Sequence, residues 1–501
     1  MASLIHVTVD PATDAADRVD DDDSIVDSID DDVAPDDHVE SGLWERIDWL
    51  AVGALFLVSI VLVGLHVRSY TTLSPIDEVQ HIDYVIKAGD FEPPRVNDLI
   101  GFETMAEAAC RSVDAPGYIG PRCGLDEYDP EDFQENGVNT SAGQFPFFYT
   151  ATGVASRVIV ATGALESQVT AARMVGALWA GAAWSVMWYV LALLRVQRTR
   201  RVVALAALIA TPLTLFHSAT VNADGVLMFT GALAVLATLK YEARRLNVWL
   251  LLASYAALYF VEPTNILVIT PCVAYLAVRV TLSSDASNIR RALPLLAIPM
   301  VVLFRLRIAR ELHRFFFPAS PRTNRPTMFA DNSIPDGVSW DSMLQQLATI
   351  FTPVNHAYVT PFLRSQHTYA LQDVVNWLLI GSMFAVAIGA TTVRSVRSSD
   401  DSVTMSGDGP MPDEVAVADE QTRWLTRFGM VTLLAAGPFY TFSFAYFSDA
   451  FFPAPARFGL PLVIFMVVGL AGALTTRWAM AIASTIVALA SANLLWLLLT
   501  P

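Results

Sequence analysis

The chain has 501 residues, of which 54% are hydrophobic and only 16% charged, and its mean hydropathy is +0.45. A single soluble core could not bury that much apolar surface, so lipid is the solvent expected for most of the chain. The net charge of -17 gives no basis for a nucleic-acid partner, and it is also local: residues 1–43 hold thirteen Asp, one Glu and one Arg, contributing -13, and the remainder contributes -4.

The tail, residues 1–43, contains the run DDDDSIVDSIDDDVAPDD. It has too little apolar surface to offset the entropy of ordering, so a disordered, cytoplasmic tail is expected. It lacks the basic and apolar regions of a cleaved signal peptide, leaving the first span to act as an uncleaved anchor. Residues 44–501 form the polytopic membrane domain.

Hydropathy places spans near 47–66, 170–194, 202–220, 225–240, 246–260, 265–280, 292–309, 371–393, 428–446, 458–475 and 478–499. The expected fold is therefore all-α, an integral membrane protein of about eleven transmembrane helices. Arginine is concentrated in RVQRTRR (195–201), KYEARR (240–245), RVTLSSDASNIRR (279–291) and the linker 394–427, which the positive-inside rule assigns to the cytoplasm. The amino terminus then lies inside and the carboxyl terminus outside a plasma membrane crossed many times. Residues 144–163, QFPFFYTATGVASRVIVATG, read as a helix at the outer interface, because a further span there would put RVQRTRR outside.

On this topology two large loops, 67–143 and 310–370, face outside, together with a hairpin over 447–457. Within the cytoplasmic linker, residues 398–421 read as flexible. Only two lysines accompany thirty arginines, a bias usual in GC-rich coding. Cys110 and Cys123 both lie in the first loop; a local disulfide or two free thiols are equally compatible with the sequence.

Four polar clusters fall at external span ends. SPIDEVQHIDY follows the first span and brings Asp77, Glu78 and His81 together. On a helix Asp77 and His81 share a face, where with Glu78 they could hold a divalent cation such as Mg or Mn, or supply a general base; a polar helix cap after Pro75 explains the same residues. HSATVNADG supplies Asn222 and Asp224, residues that also suit a tight turn. VEPTN supplies Glu262 and Asn265. FPAPARFGLP supplies Arg457, whose external position runs against the charge bias and suits either an anion or snorkelling to lipid phosphates.

Acidic groups and an arginine at headgroup depth match what a lipid-phosphate substrate requires. An acidic pair just after the first span resembles the signature of GT-C superfamily glycosyltransferases. The motifs SPIDEVQH, VNADG, VEPTN and ARFGLP also resemble, in order, those of a large bacterial family of predicted GT-C membrane proteins, over roughly residues 45–475. The third motif departs from that pattern, with Glu262 where a basic residue is more usual. The FPFFY stretch resembles the Pro-aromatic element that ends the first loop in such enzymes.

The resemblance implies a GT-C-like architecture and transfer from a polyprenyl-phosphate sugar donor to an envelope glycan, glycolipid or protein acceptor. It makes Asp77 the general base or a metal ligand, with Glu78 beside it. His81, Asn222, Asp224, Glu262, Asn265 and Arg457 then become substrate-binding candidates. No Gly-rich phosphate loop follows a predicted strand, which argues against a cytoplasmic nucleotide donor. A transporter or flippase would show internal repeats and midplane ionisable residues, neither of which is evident; a non-catalytic scaffold of an envelope complex is the third reading.

Overall fold

The computed structural model describes residues 48–114, 118–282, 370–389, 412–448 and 456–500. The chain divides into two units, Met1–Asp48 and Trp49–Pro501, and the described helices belong to the second. The acidic tail, the expected span 292–309, the loop 310–369 and the first part of the 394–427 linker lie outside the described residues, as does most of the 447–457 hairpin.

Among the described residues the secondary structure is helical. The helices are α1 (Trp49–Ser69), α2 (Glu78–Gly89), α3 (Phe102–Arg111), α4 (Phe147–Ala161), α5 (Gln168–Leu193), α6 (Arg198–Ile209) and α7 (Pro212–Ala219). They continue as α8 (Leu227–Glu242), α9 (Val248–Val261), α10 (Ile266–Leu282), α11 (Ala370–Ala387), α12 (Pro412–Ser448), α13 (Val463–Ala473) and α14 (Arg477–Leu499). Tight helical turns at Ala223–Val226, Pro263–Asn265 and Ala456–Leu462 lead into α8, α10 and α13.

Among the described residues six segments are long and apolar enough to cross a membrane: Trp49–Ser69, Gln168–Leu193, Ala223–Glu242, Ala370–Ala387, Ala456–Ala473 and Arg477–Leu499. The chain is thus a helical, membrane-embedded protein. Burial separates these segments into inner and outer members. Ala456–Ala473 is 78% buried and Ala223–Glu242 72%, whereas Trp49–Ser69 is 28% and Arg477–Leu499 33%. On the two outer helices Leu50, Leu57, Val61, Ile482 and Leu489 are exposed, as expected where the solvent is hydrocarbon. Asp224 and Arg457 open the two inner segments, so their charges sit inside protein rather than against lipid. A close approach sets their relative position, because a side chain on Gly231 of α8 would lie 2.3 Å from the Pro461 carbonyl.

Two expectations change. The apolar stretch 202–220 is not one helix but α6 and α7, broken at Thr211, where Pro212 starts the second helix. The Thr211 and Thr214 hydroxyls donate to the freed Leu208 carbonyl at 2.6 and 3.0 Å. The segment 398–421 is not irregular throughout: residues 412–421 belong to α12, which is 37 residues long. Residues 144–163 yield α4, whose 15 residues rise only about 22 Å and fall short of a ~30 Å hydrocarbon core.

The loop over 70–143 has its own apolar core. Leu73, Val79, Ile82, Val85, Ile100, Met105 and Phe133 pack with Phe148, Tyr149, Val169, Val221 and Val226, joining the loop to α4, α5 and the turn before α8. Asp83 pins its interior by accepting from Lys87 Nζ (2.8 Å), Gly101 N (2.7 Å), Thr104 Oγ1 (3.2 Å) and Asn139 Nδ2 (2.7 Å). Cys110 and Cys123 are joined in a disulfide within this loop.

A polar network closes the other end of α8. Glu242 accepts from Tyr275, from Arg279 Nε at 2.8 Å and from Gln421 Nε2 at 2.9 Å, and Arg279 also pairs with Glu420 at 2.8 Å. Along the helix Asp224 and Glu242 are about 27 Å apart, close to one hydrocarbon thickness.

Candidate functional site

The four sequence clusters meet. The turn carrying Arg457 touches both the turn carrying Asp224 and the turn carrying Asn265. Arg457 Nη2 lies 3.7 Å from Asp77 Oδ2, and Arg457 Nε lies 2.8 Å from Asp224 Oδ2. The Nε–H is not directed at that oxygen, so among the described residues the contact is one of charge and leaves Nε without an aligned acceptor. Arg457 is 20% exposed, Asp77 36% and Asp224 10%, so each side chain keeps some access to solvent.

Local structure explains why Asp77 remains available. It stands at the N-cap of α2 in the left-handed region, at φ 55°, a conformation Asp tolerates better than most residues. Its side chain makes no cap hydrogen bond, so the helix-cap explanation does not account for the carboxylate. Burial pushes the Asp77 carboxyl above its usual value of 3.8, and the Arg457 guanidinium opposes that rise. A carboxylate shifted in this direction is a stronger base than an ordinary aspartate.

Glu78 is arranged differently. Arg173 Nε donates to its Oε1 and Arg173 Nη2 to its Oε2, each at 2.8 Å, and the two side chains are 0% and 2% exposed. Glu78 also accepts from Ser74 N at 2.6 Å and Val221 N at 2.9 Å. Arg173 also donates to the Tyr70 and Thr72 carbonyls, at 2.9 and 2.7 Å. The pair therefore ties the end of α1, the loop, α5 and the strand-like approach to Asn222 into one unit.

The side chain of His81 is buried, with Nδ1 2.8 Å from the Tyr149 hydroxyl and 3.2 Å from Ser141 Oγ. Burial, and after it the Arg457 charge, pushes the imidazole down to about 3, so it is neutral at ordinary pH. Both Glu78 oxygens are engaged by Arg173 and backbone amides, and His81 Nδ1 faces the Tyr149 hydroxyl. Among the described residues no group of three or more His, Cys, Asp or Glu converges to hold a metal ion.

The remaining candidates build the turns. Asn222 accepts from Asp224 N at 2.8 Å and thereby fixes the aspartate's backbone. Glu262 Oε1 accepts from Thr264 Oγ1 at 3.1 Å, and Asn265 joins the Leu258 carbonyl (2.9 Å) to Thr230 Oγ1 (2.8 Å). Two residues went unrecognised in the sequence. Arg173 is a lone arginine inside a 26-residue apolar helix, a signal in its own right, since an ionisable residue in a span needs a partner. His217 lies within HSATVNADG but reads there as part of a turn. Compared with protein-family models, with curated proteins and with solved structures, the chain finds no match.

Proposed function

We propose that this chain is a GT-C-type membrane glycosyltransferase, which moves a sugar from a polyprenyl-phosphate donor to a hydroxyl of an envelope glycan, glycolipid or protein. The observation that carries the proposal is Arg457 held between Asp77 and Asp224 with its Nε unaligned, at the end of the two most buried of the described spans. In this reading the site lies on the outer face of the plasma membrane, since the arginine-rich connections mark the opposite end of α8.

Asp77 takes the proton from the acceptor hydroxyl. The acceptor oxygen bonds to the anomeric carbon as the bond from that carbon to the phosphate oxygen breaks, and the electron pair leaves on the polyprenyl phosphate. Arg457 turns its donors to that growing charge, an interaction stronger in the transition state than in the ground state. Asp224 keeps the guanidinium in place, and Asn222 keeps Asp224 in place. Glu78 acts through Arg173 by holding the turn that presents Asp77, which makes it a positioning residue.

The test supplies polyprenyl-phosphate sugars and candidate acceptors to the chain in lipid nanodiscs and follows release of polyprenyl phosphate. The parent is expected to turn over and Asp77→Asn to lose turnover while inserting and melting normally. Full turnover by Asp77→Asn would remove Asp77 from the chemistry.

A further inference from the structure

Two buried nitrogens beside this site have no hydrogen-bond partner among the described residues: Arg457 Nε and His217 Nδ1. Most buried polar atoms are paired, and leaving one unpaired costs about 1–3 kcal/mol, so neighbouring orphans call for a missing group. His217 is 2% exposed and sits near the end of α7. Packing holds it against the site. A side chain on Gly225, next to Asp224, would fall 2.5 Å from the His217 carbonyl, so only glycine lets the two turns meet. The turn over Ala223–Val226 touches α7 on one side and the Arg457 turn on the other.

An orphaned guanidinium nitrogen beside an orphaned imidazole nitrogen is a donor pair suited to a tetrahedral oxyanion, and no carboxylate among the described residues is aligned to occupy it. We propose that His217 is a second phosphate ligand, donating from Nδ1–H to an oxygen of the same phosphate that Arg457 binds. The inference rests on the reading of Arg457 as the lipid-phosphate ligand and adds a residue that none of the four sequence motifs assigns to binding.

The experiment titrates the full chain in nanodiscs with polyprenyl monophosphate and, separately, with inorganic phosphate. Affinity is measured for the parent, His217→Phe, His217→Gln and Arg457→Ala, and the parent's imidazole 15N shifts are followed by NMR. The proposal expects one histidine Nδ1 resonance to move on binding, and His217→Phe to bind roughly tenfold or more weakly. Loss for the lipid alone identifies a headgroup site; loss for both ligands identifies a site for phosphate itself, and either result supports the role of His217. Parent affinity in both His217 variants overturns it while leaving the Arg457 reading intact if Arg457→Ala loses binding. Should the variants fail to fold, an unmoved imidazole signal in the saturated parent overturns it. Parent affinity in Arg457→Ala refutes the proposed function as well.

Discussion

Two arginines meet adjacent carboxylates, and they do opposite things. Arg173 and Glu78 are closed to solvent, joined by two hydrogen bonds of 2.8 Å, and held further by backbone carbonyls and amides. Arg457 touches Asp77 at 3.7 Å and Asp224 at 2.8 Å with poor alignment, and all three side chains keep some exposure. A saturated pair resists any ligand, because breaking it strands a charge in the interior. An unsaturated pair of the same residue types can exchange partners, which is what binding and catalysis require. Adjacent carboxylates in SPIDEVQH thus divide into a structural residue and a reactive one, and the division depends on which arginine each one meets.

The strongest break in that comparison is Glu78→Ala. It leaves Arg173 buried and unpaired, so unfolding in detergent should show a loss of about 3–5 kcal/mol. A stability within ~0.5 kcal/mol of the parent would mean the pair does not hold the loop. Asp77→Asn should show the reverse pattern, with turnover reduced about 10²–10⁴-fold and the melting temperature little changed. A large drop in melting temperature would make Asp77 structural like its neighbour. Arg457→Lys keeps the charge and loses the planar fork, so donor affinity should weaken roughly tenfold, read by equilibrium binding. Equal affinity in that variant would support a snorkelling anchor instead.

A smaller effect is expected in the pH profile. The base must be ionised, and burial raises the Asp77 carboxyl above 3.8, so activity should fall on acidification at a pH above that of an ordinary aspartate. His81 is pushed down to about 3 and stays neutral through the same range, so replacing it with Gln should leave the acid limb in place. Disappearance of the limb in Asp77→Asn, with residual activity followed, identifies its source.

Much of the fold was legible in the sequence because hydropathy marks span positions directly, as in Trp49–Ser69 and Arg477–Leu499. The break at Pro212 was not, since an apolar window averages over a single proline and two threonines that donate to the Leu208 carbonyl. The helical start of α12 was also missed. Its acidic composition suggests a linker, and it is the contacts of Glu420 and Gln421 with Arg279 and Glu242 that fasten it, contacts no local pattern shows. Asp77, Asp224 and Arg457 were legible as polar residues at span ends, and the structure brings them together. The roles within the site were not legible: Arg173 is 95 residues from Glu78, so nothing local indicates that Glu78 is engaged and Asp77 free.

The most direct measurement of the central claim is polyprenyl monophosphate binding to the parent and to Arg457→Ala in nanodiscs of neutral lipid. Saturable binding by the parent that is lost in Arg457→Ala, with the melting temperature preserved, is the expected result. Binding of equal affinity by both proteins would contradict the claim that Arg457 is the arginine left open for a phosphate.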